Sequence, residues 1–223
     1  MKKLHYILIL IISLSYYGCC ITKPDCNPDG GNFNYGPELS YRTASYYGED
    51  ARDDDFKHTG TINFGVFAHW AFCEDYPNMG IYSGLFYNQF GAKYDYENDG
   101  SESSSKDRLS YLTIPVTFTY DLIYGIRAEV GPDISFLLSA KEIYKYDGDK
   151  ETYDIKEDIA NVQLGFNVGV AYTHEKTGLG GFIRYNGAFT SVPSSEYDYK
   201  AYNGSINLGV RYRINHLLYG LKD

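Results

Sequence analysis

Glu129, Asp133 and His69 are the residues whose types could do acid–base chemistry. Two carboxyls beside an imidazole can move a proton when their environments hold one charged and one neutral. Glu129 and Asp133 belong to "YGIRAEVGPDISFLL" (124–138), where Arg127 precedes them. In that stretch Tyr124, Ile126, Ala128 and Val130, then Ile134, Phe136 and Leu138, put apolar side chains on alternate positions. A period of two is a strand pattern, so Arg127, Glu129 and Asp133 share one face of a strand. Mixed charges on one strand face make an ion-pair network more readily than a proton relay, and a network is the expectation. No G-x-S-x-G elbow marks a nucleophile, and no H-E-x-x-H marks a metal site. "ARDDDF" (51–56) is acidic but lacks the ligand spacing and sixth-position Gly of an EF-hand loop, so it reads as a solvated loop tip. No catalytic residue, metal or cofactor is expected.

The chain of 223 residues carries 29 Asp and Glu against 20 Lys and Arg, which argues against nucleic acid as a partner. It holds 25 Tyr. Tyr and Trp sit well where lipid meets water, and a protein with two such boundaries has use for many. The start reads as a secretion signal over residues 1–20: a basic "MKK", the apolar "ILILIISL" and then "SYYGCC". It is processed either by conventional cleavage near 18–20 or as a lipoprotein signal acylated on Cys19. The apolar run falls well short of the ~20 residues of a spanning helix, and no later run is longer. Residues 21–32 read as a periplasmic linker. Cys19, Cys20, Cys26 and Cys73 lack metal-ligand spacing. For Cys26 and Cys73 a disulfide and two idle thiols both stay open.

Alternation then runs through the chain. Phe64, Val66 and Trp70 share a face in "INFGVFAHWAF" (62–72). So do Leu112, Ile114, Val116 and Phe118 in "YLTIPVTFTY" (111–120), and Leu164, Phe166, Val168 and Val170 in "NVQLGFNVGVAY" (161–172). In "SINLGVRYRI" (205–214), Leu208 and Val210 alternate with Arg211 and Arg213. Eight segments emerge: 33–46, 60–73, 79–95, 109–121, 123–141, 159–173, 178–191 and 201–214. Each is long enough for the ~9–11 residues of a tilted membrane strand. Long connections, such as 95–107 and 142–158, alternate with short ones such as "CEDYPN" and "HEKTG". That is the asymmetry of an outer-membrane barrel, with long loops outside and short turns in the periplasm. The expected fold is all-β: an eight-stranded antiparallel up-and-down transmembrane barrel with meander topology over 33–214, followed by a tail at 215–223. The named apolar residues then face lipid.

Eight strands enclose an interior that side chains fill. Glu38, Arg42, Arg127, Glu129, Asp133, Arg184, Arg211, Arg213 and His69 are expected there, the charged ones as a network. Glu129, on the fifth strand, faces the first and eighth, which bring Arg42, Arg211 and Arg213; Arg184 on the seventh is also in reach. Gly125, Gly131, Gly165, Gly169, Gly180 and Gly209 fall on inward positions and leave room for long side chains.

The strands "YLTIPVTFTY", "RAEVGPDISFLLSAK" and "FIRYNGAFTSV", with the closing "INLGVRYRI", resemble the PorT-like outer-membrane β-barrel family of Bacteroidetes-type bacteria. The resemblance covers about residues 60–214 and implies an eight-stranded outer-membrane barrel. It also implies a link to secretion, since the founding member is associated with secretion and maturation of exported proteins. Gly84 departs from the family, whose members often carry an inward Glu there. The chain also trails past its last strand as "NHLLYGLKD" where a terminal aromatic is usual.

The expected function is a non-catalytic integral outer-membrane barrel with a filled, non-conducting lumen, its acidic extracellular loops available to a protein partner and its termini in the periplasm. Lipid, lipopolysaccharide and the barrel-assembly machinery are its expected partners, and the barrel is expected to be a monomer. The competing classes are an outer-membrane enzyme of acyltransferase or protease type and a soluble lipocalin-like barrel, which puts apolar residues inside.

Overall fold

Strand formation follows from the sequence pattern. Val162–Thr173 alternates β-branched or large apolar residues with Gln163, Asn167 and small residues, so one face can meet an apolar medium while the other finds hydrogen bonds. The computed structural model describes residues 33–48, 51, 56–72, 78–98, 101–123, 125–146, 149–174, 176–193 and 200–214. The signal, the linker, all four cysteines, the 52–55 acidic run, Tyr124 and the 215–223 tail lie outside the described residues.

The strands are β1 (Phe33–Tyr47), β2 (Thr59–Ala71), β3 (Met79–Phe90), β4 (Lys93–Asn98), β5 (Ser101–Asp121), β6 (Ile126–Tyr146), β7 (Asp149–Asp154), β8 (Val162–Thr173), β9 (Leu179–Ala188) and β10 (Tyr202–Tyr212). Eight of them close a ring in the order β1-β2-β3-β5-β6-β8-β9-β10, with β10 returning to β1 through Glu38↔Arg211 and nine further register pairs. All pairings are antiparallel, and the expected up-and-down barrel is present. No barrel strand is left with an open edge.

Two of the expected long loops are β-structure instead. Residues 95–107 and 142–158 supply strands that prolong the barrel wall: β4 pairs with the first six residues of β5, and β7 with the last six of β6. The pairings Asn98↔Ser101 and Tyr146↔Asp149 leave two residues between the strands of each hairpin, and both pairs are Asp-Gly in the sequence. Asp-Gly is a strong hairpin signal. Few aliphatic residues mark these strands: β4 alternates Lys93, Asp95 and Glu97 with Tyr94 and Tyr96, and β7 carries charge on both faces. The third segment breaks at Gly91, whose φ of 136° no other residue adopts cheaply. The fifth begins at Ile126, after a tight turn in which Gly125 has φ 77°, so Gly125 is a turn residue and not a lumen residue.

The outward face is apolar. Phe64, Val66, Trp70, Val116, Phe118, Leu164, Val168, Val170, Leu208 and Val210 are all exposed, and Leu112, Ile114 and Phe166 partly so. Aromatics ring both ends: Tyr35, Trp70 and Tyr172 at the short-turn end, Tyr41, Tyr47, Tyr185 and Phe189 at the other. An apolar band between aromatic girdles is the outer surface of a membrane barrel. A lipocalin-like barrel has the reverse orientation, so that alternative falls.

Val168 is exposed in mid-strand, while its neighbour Asn167 is buried and holds Thr117 and the Gly131 carbonyl. Val168→Arg should cost about 2–4 kcal/mol of membrane stability near the midplane. Refolding into lipid vesicles, read by heat-modifiable gel mobility against urea, should show that loss. Asn167→Arg should destabilise instead by crowding the lumen.

Candidate functional site: the charged lumen

Barrel closure gathers the inward residues into layers. The middle layer is built on Glu129, whose carboxylate receives Arg184 Nη2 at 2.8 Å and Arg211 Nη2 at 2.7 Å. Arg184 Nη1 also reaches Glu38 Oε1 at 3.3 Å, and the Tyr82 hydroxyl donates to Glu38 Oε2 at 2.6 Å. All five side chains are buried. Aromatic rings fill the space between: the Arg184 guanidinium lies 4.6 Å from the Phe182 ring centre and 5.1 Å from that of Tyr82, and Arg211 lies 5.5 Å from Tyr82. A guanidinium over a ring face keeps some favourable electrostatics after losing water. The Phe86 ring occupies the floor that Gly65 and Gly84 leave bare; a Cβ on either would come within 2.5 Å of a Phe86 ring atom. The space over Gly84 is thus filled by an aromatic ring.

A second layer lies toward the short turns. Arg127 Nε meets Asp121 Oδ1 at 2.7 Å, and His69 Nε2 is 2.9 Å from Thr119 Oγ1. The third layer, toward the long connections, holds Arg42 and Asp133. Arg42 Nε donates to Asn207 Oδ1 at 2.6 Å and its guanidinium stacks 4.0 Å above Phe90. Arg42 and Asp133 both line a cavity of about 20 Å³, room for about one water. Beyond it the lumen is capped by an apolar cluster of Ala44, Phe90, Leu109, Tyr111, Leu137, Ala140, Ile159 and Val192.

The expected network therefore divides into layers. Arg184 and Arg211 reach Glu129 as expected; Arg42 does not, because it lies a layer away beside Asn207 and Asp133. Arg213 follows the end of β10 and is partly buried; its Nε is enclosed and it interacts electrostatically with Asp121, His69 and Arg127, so it lies with the second layer. His69 lies in the second layer, bonded to Thr119, so it makes no acid–base set with Glu129 and Asp133. Sequence reasoning missed Tyr82, the apolar cap and Asp121. Tyr82 is one of many tyrosines, and only its inward register position, opposite His69, distinguishes it.

Above the apolar band, Asp107 of β5 stands directly across from Glu142 of β6. The Tyr46 hydroxyl donates to Asp107 Oδ2 at 2.8 Å, and Ser105 Oγ to Glu142 Oε1 at 2.6 Å. Burial first, and the facing Glu142 second, push the Asp107 carboxyl up to about 6, against the pull of Tyr46.

A model of the family described as "Outer membrane protein beta-barrel domain" matches residues 23–194, and the chain belongs to that family. No curated protein matches. Among solved structures, the chain is similar to Neisserial surface protein A, with 11% identity and a TM-score of 0.45 over 82% of this chain and 98% of that one. It is similar to Ail, the attachment invasion locus protein of Yersinia pestis, with 12% identity and a TM-score of 0.44 over 81% and 98%. It is also similar to OprG from Pseudomonas aeruginosa, with 12% identity and a TM-score of 0.35 over 83% and 96%.

Two predictions follow from these charges. Glu129→Gln takes the charge partner from buried Arg211 and leaves Arg184 with Glu38 alone, and should cost about 3–5 kcal/mol. Adding Arg211→Met should cost much less than its effect alone, giving a coupling that a double-mutant cycle of urea unfolding in micelles would measure. Asp107 titrates near 6 when folded and at its ordinary 3.8 when unfolded. Between those values the folded state keeps a proton that the unfolded state has released, so stability falls as pH rises through the window and is level above it. Asp107→Asn should flatten that dependence and leave the barrel more stable than the parent at pH 7.

Proposed function

We propose that this outer-membrane barrel does no chemistry and works as a closed scaffold that presents its long-connection end to a protein partner outside the cell. The pinning of Glu129 between Arg184 and Arg211 carries the reading. A general acid or base needs a free position beside a reacting atom. Glu129 has none, since both of its oxygens are occupied by guanidinium groups.

The lumen supports the same view. Inward side chains and the apolar cap fill it, so a continuous water path is not expected. The ring closes within one chain, which favours a monomer. In the proposed orientation both termini and the short turns face the periplasm. The outer end then displays Asp149, Glu151, Asp154, Glu157 and Asp158, all exposed, to a partner of basic character. The PorT-like likeness of the strand motifs joins this scaffold to secretion or envelope maintenance.

Planar-bilayer recording should show no stable porin-like steps; large, reproducible conductance would contradict the sealed lumen. Protease added to whole cells should remove an epitope placed in 149–154 and spare one placed in 215–223. In the cell, Glu129→Gln should lower function only as far as it lowers the folded fraction. Lost function at an unchanged folded fraction would make the lumen a working site.

A further inference from the structure

Beyond the lumen, the strongest unexplained feature is a set of like charges. Three pairs of cations face each other directly across neighbouring strands: Lys93↔Lys106, Arg108↔Lys141 and Lys145↔Lys150. All six lie on the outward face of the four-stranded extension β4-β5-β6-β7. On β5 that face climbs from Val116, Ile114 and Leu112 through Ser110 to Arg108 and then Lys106. On β6 it climbs from Ile134, Phe136 and Leu138 to Lys141 and Lys145. The surface turns from apolar to cationic within about two pleats, roughly 14 Å at ~3.4 Å per residue.

Like charges directly opposite each other on a sheet are destabilising. This chain is acidic overall, so it has carboxylates enough to avoid such pairs. Of the nearby acids, Asp95 alone reaches one of the six. Asp95 binds Lys93 at 2.7 Å and Lys57 at 2.9 Å, and Asp154 lies opposite Lys141 in the register. Among the described residues, Lys106, Arg108, Lys141, Lys145 and Lys150 have no carboxylate within ion-pair distance. Lys156 adds to the patch, its Nζ lying 3.1 Å from the Leu138 carbonyl. The Lys106 ammonium is held below its ordinary range, first by partial burial and then by Arg108, Lys145 and Lys93 around it.

We propose that this face binds the phosphate groups of lipid headgroups in the outer leaflet, with Arg108, Lys141 and Lys106 as its centre. Position selects a lipid: the cations sit on the face that carries the lipid-exposed residues, at the edge of the apolar band, where headgroups lie. Phosphate accepts several hydrogen bonds at once, and Arg beside Lys suits it. The proposal rests on the orientation given above, with the extension outside. The binding experiment does not depend on that orientation, so each can fail alone.

The full-length folded barrel is placed in nanodiscs of phosphatidylcholine with bis-phosphorylated lipid A, or with the same lipid A dephosphorylated. Its unfolding midpoint is read by heat-modifiable mobility. Phosphorylated lipid A should raise the midpoint; the dephosphorylated form should not. Millimolar inorganic phosphate should not reproduce the rise. In the triple variant Lys106→Gln, Arg108→Gln, Lys141→Gln, the rise should vanish. In pure phosphatidylcholine the variant should be at least as stable as the parent, because repulsion has been removed. A rise that survives in the variant, or that dephosphorylated lipid A gives equally, would overturn the proposal in favour of acyl-chain packing or an acidic protein as the true occupant. A full rise with inorganic phosphate would make this a free-anion site. Equal destabilisation of the variant in both membranes would make the cations structural and also overturn it.

Discussion

Glu129, held by Arg184 and Arg211, is the interaction on which the rest of the barrel depends. A lone buried carboxylate is too costly to keep, and so is a lone guanidinium. The partners come from β6, β9 and β10, and Arg184 links onward to Glu38 of β1. These strands are far apart in sequence, and their inward side chains converge only when β10 pairs with β1. Ring closure and charge pairing are therefore one event. Each layer also sets acids against cations: Glu38 and Glu129 with Arg184 and Arg211, Asp121 with Arg127 and Arg213, and Asp133 beside Arg42. A ring shifted in register by one residue would send these charges to the lipid face and fail at every layer.

The aromatic rings make that pairing geometrically possible. Phe67, Tyr82 and Phe86 stack along one wall, and Phe182 faces them with the guanidiniums between. Glycine sets where the rings can lie: Phe86 rests on Gly65 and Gly84, and Phe182 on Gly209. Short and long inward residues are thus complementary across the wall. This filling fixes each arginine in one place, which lets a charge pair in a dry interior be stable instead of merely tolerated.

Much of this was legible in the sequence because a membrane strand has only two faces. Alternation alone separated Val168 from Asn167 and Leu208 from Arg211, and both separations hold. Strand number and connection lengths then fixed the meander. What alternation does not carry is depth. Arg42 and Arg211 share the inward parity, but their positions along the barrel axis differ, and only the stagger of the ring decides which acid each one meets. Tyr82 escaped for a related reason: parity placed it inside, but nothing in the sequence marked it as the phenol that reaches Glu38. The hairpins β4–β5 and β6–β7 escaped because few aliphatic residues mark β4 and β7. Their Asp-Gly turns were the remaining signal.

Those hairpins change what the long-connection end is. Loops of polar residues would leave it soft, whereas β5 and β6, at 21 residues each, carry the barrel wall well past the apolar band as a sheet. A projecting sheet has edges, and edges invite other strands. Here β4 is tied by the Lys57↔Lys93 bridge and by Lys57 and Lys93 on Asp95. The other edge, β7, reads Asp-Lys-Glu-Thr-Tyr-Asp with every residue exposed, an alternation of charge that a second strand cannot cover without stranding ions. The extension therefore shows different chemistry on its two faces: six cations with Asp95 and Asp154 among them outward, and tyrosines with Asp107 and Glu142 on the inner side. The side-chain-filled barrel below supplies the stiffness that holds this sheet upright.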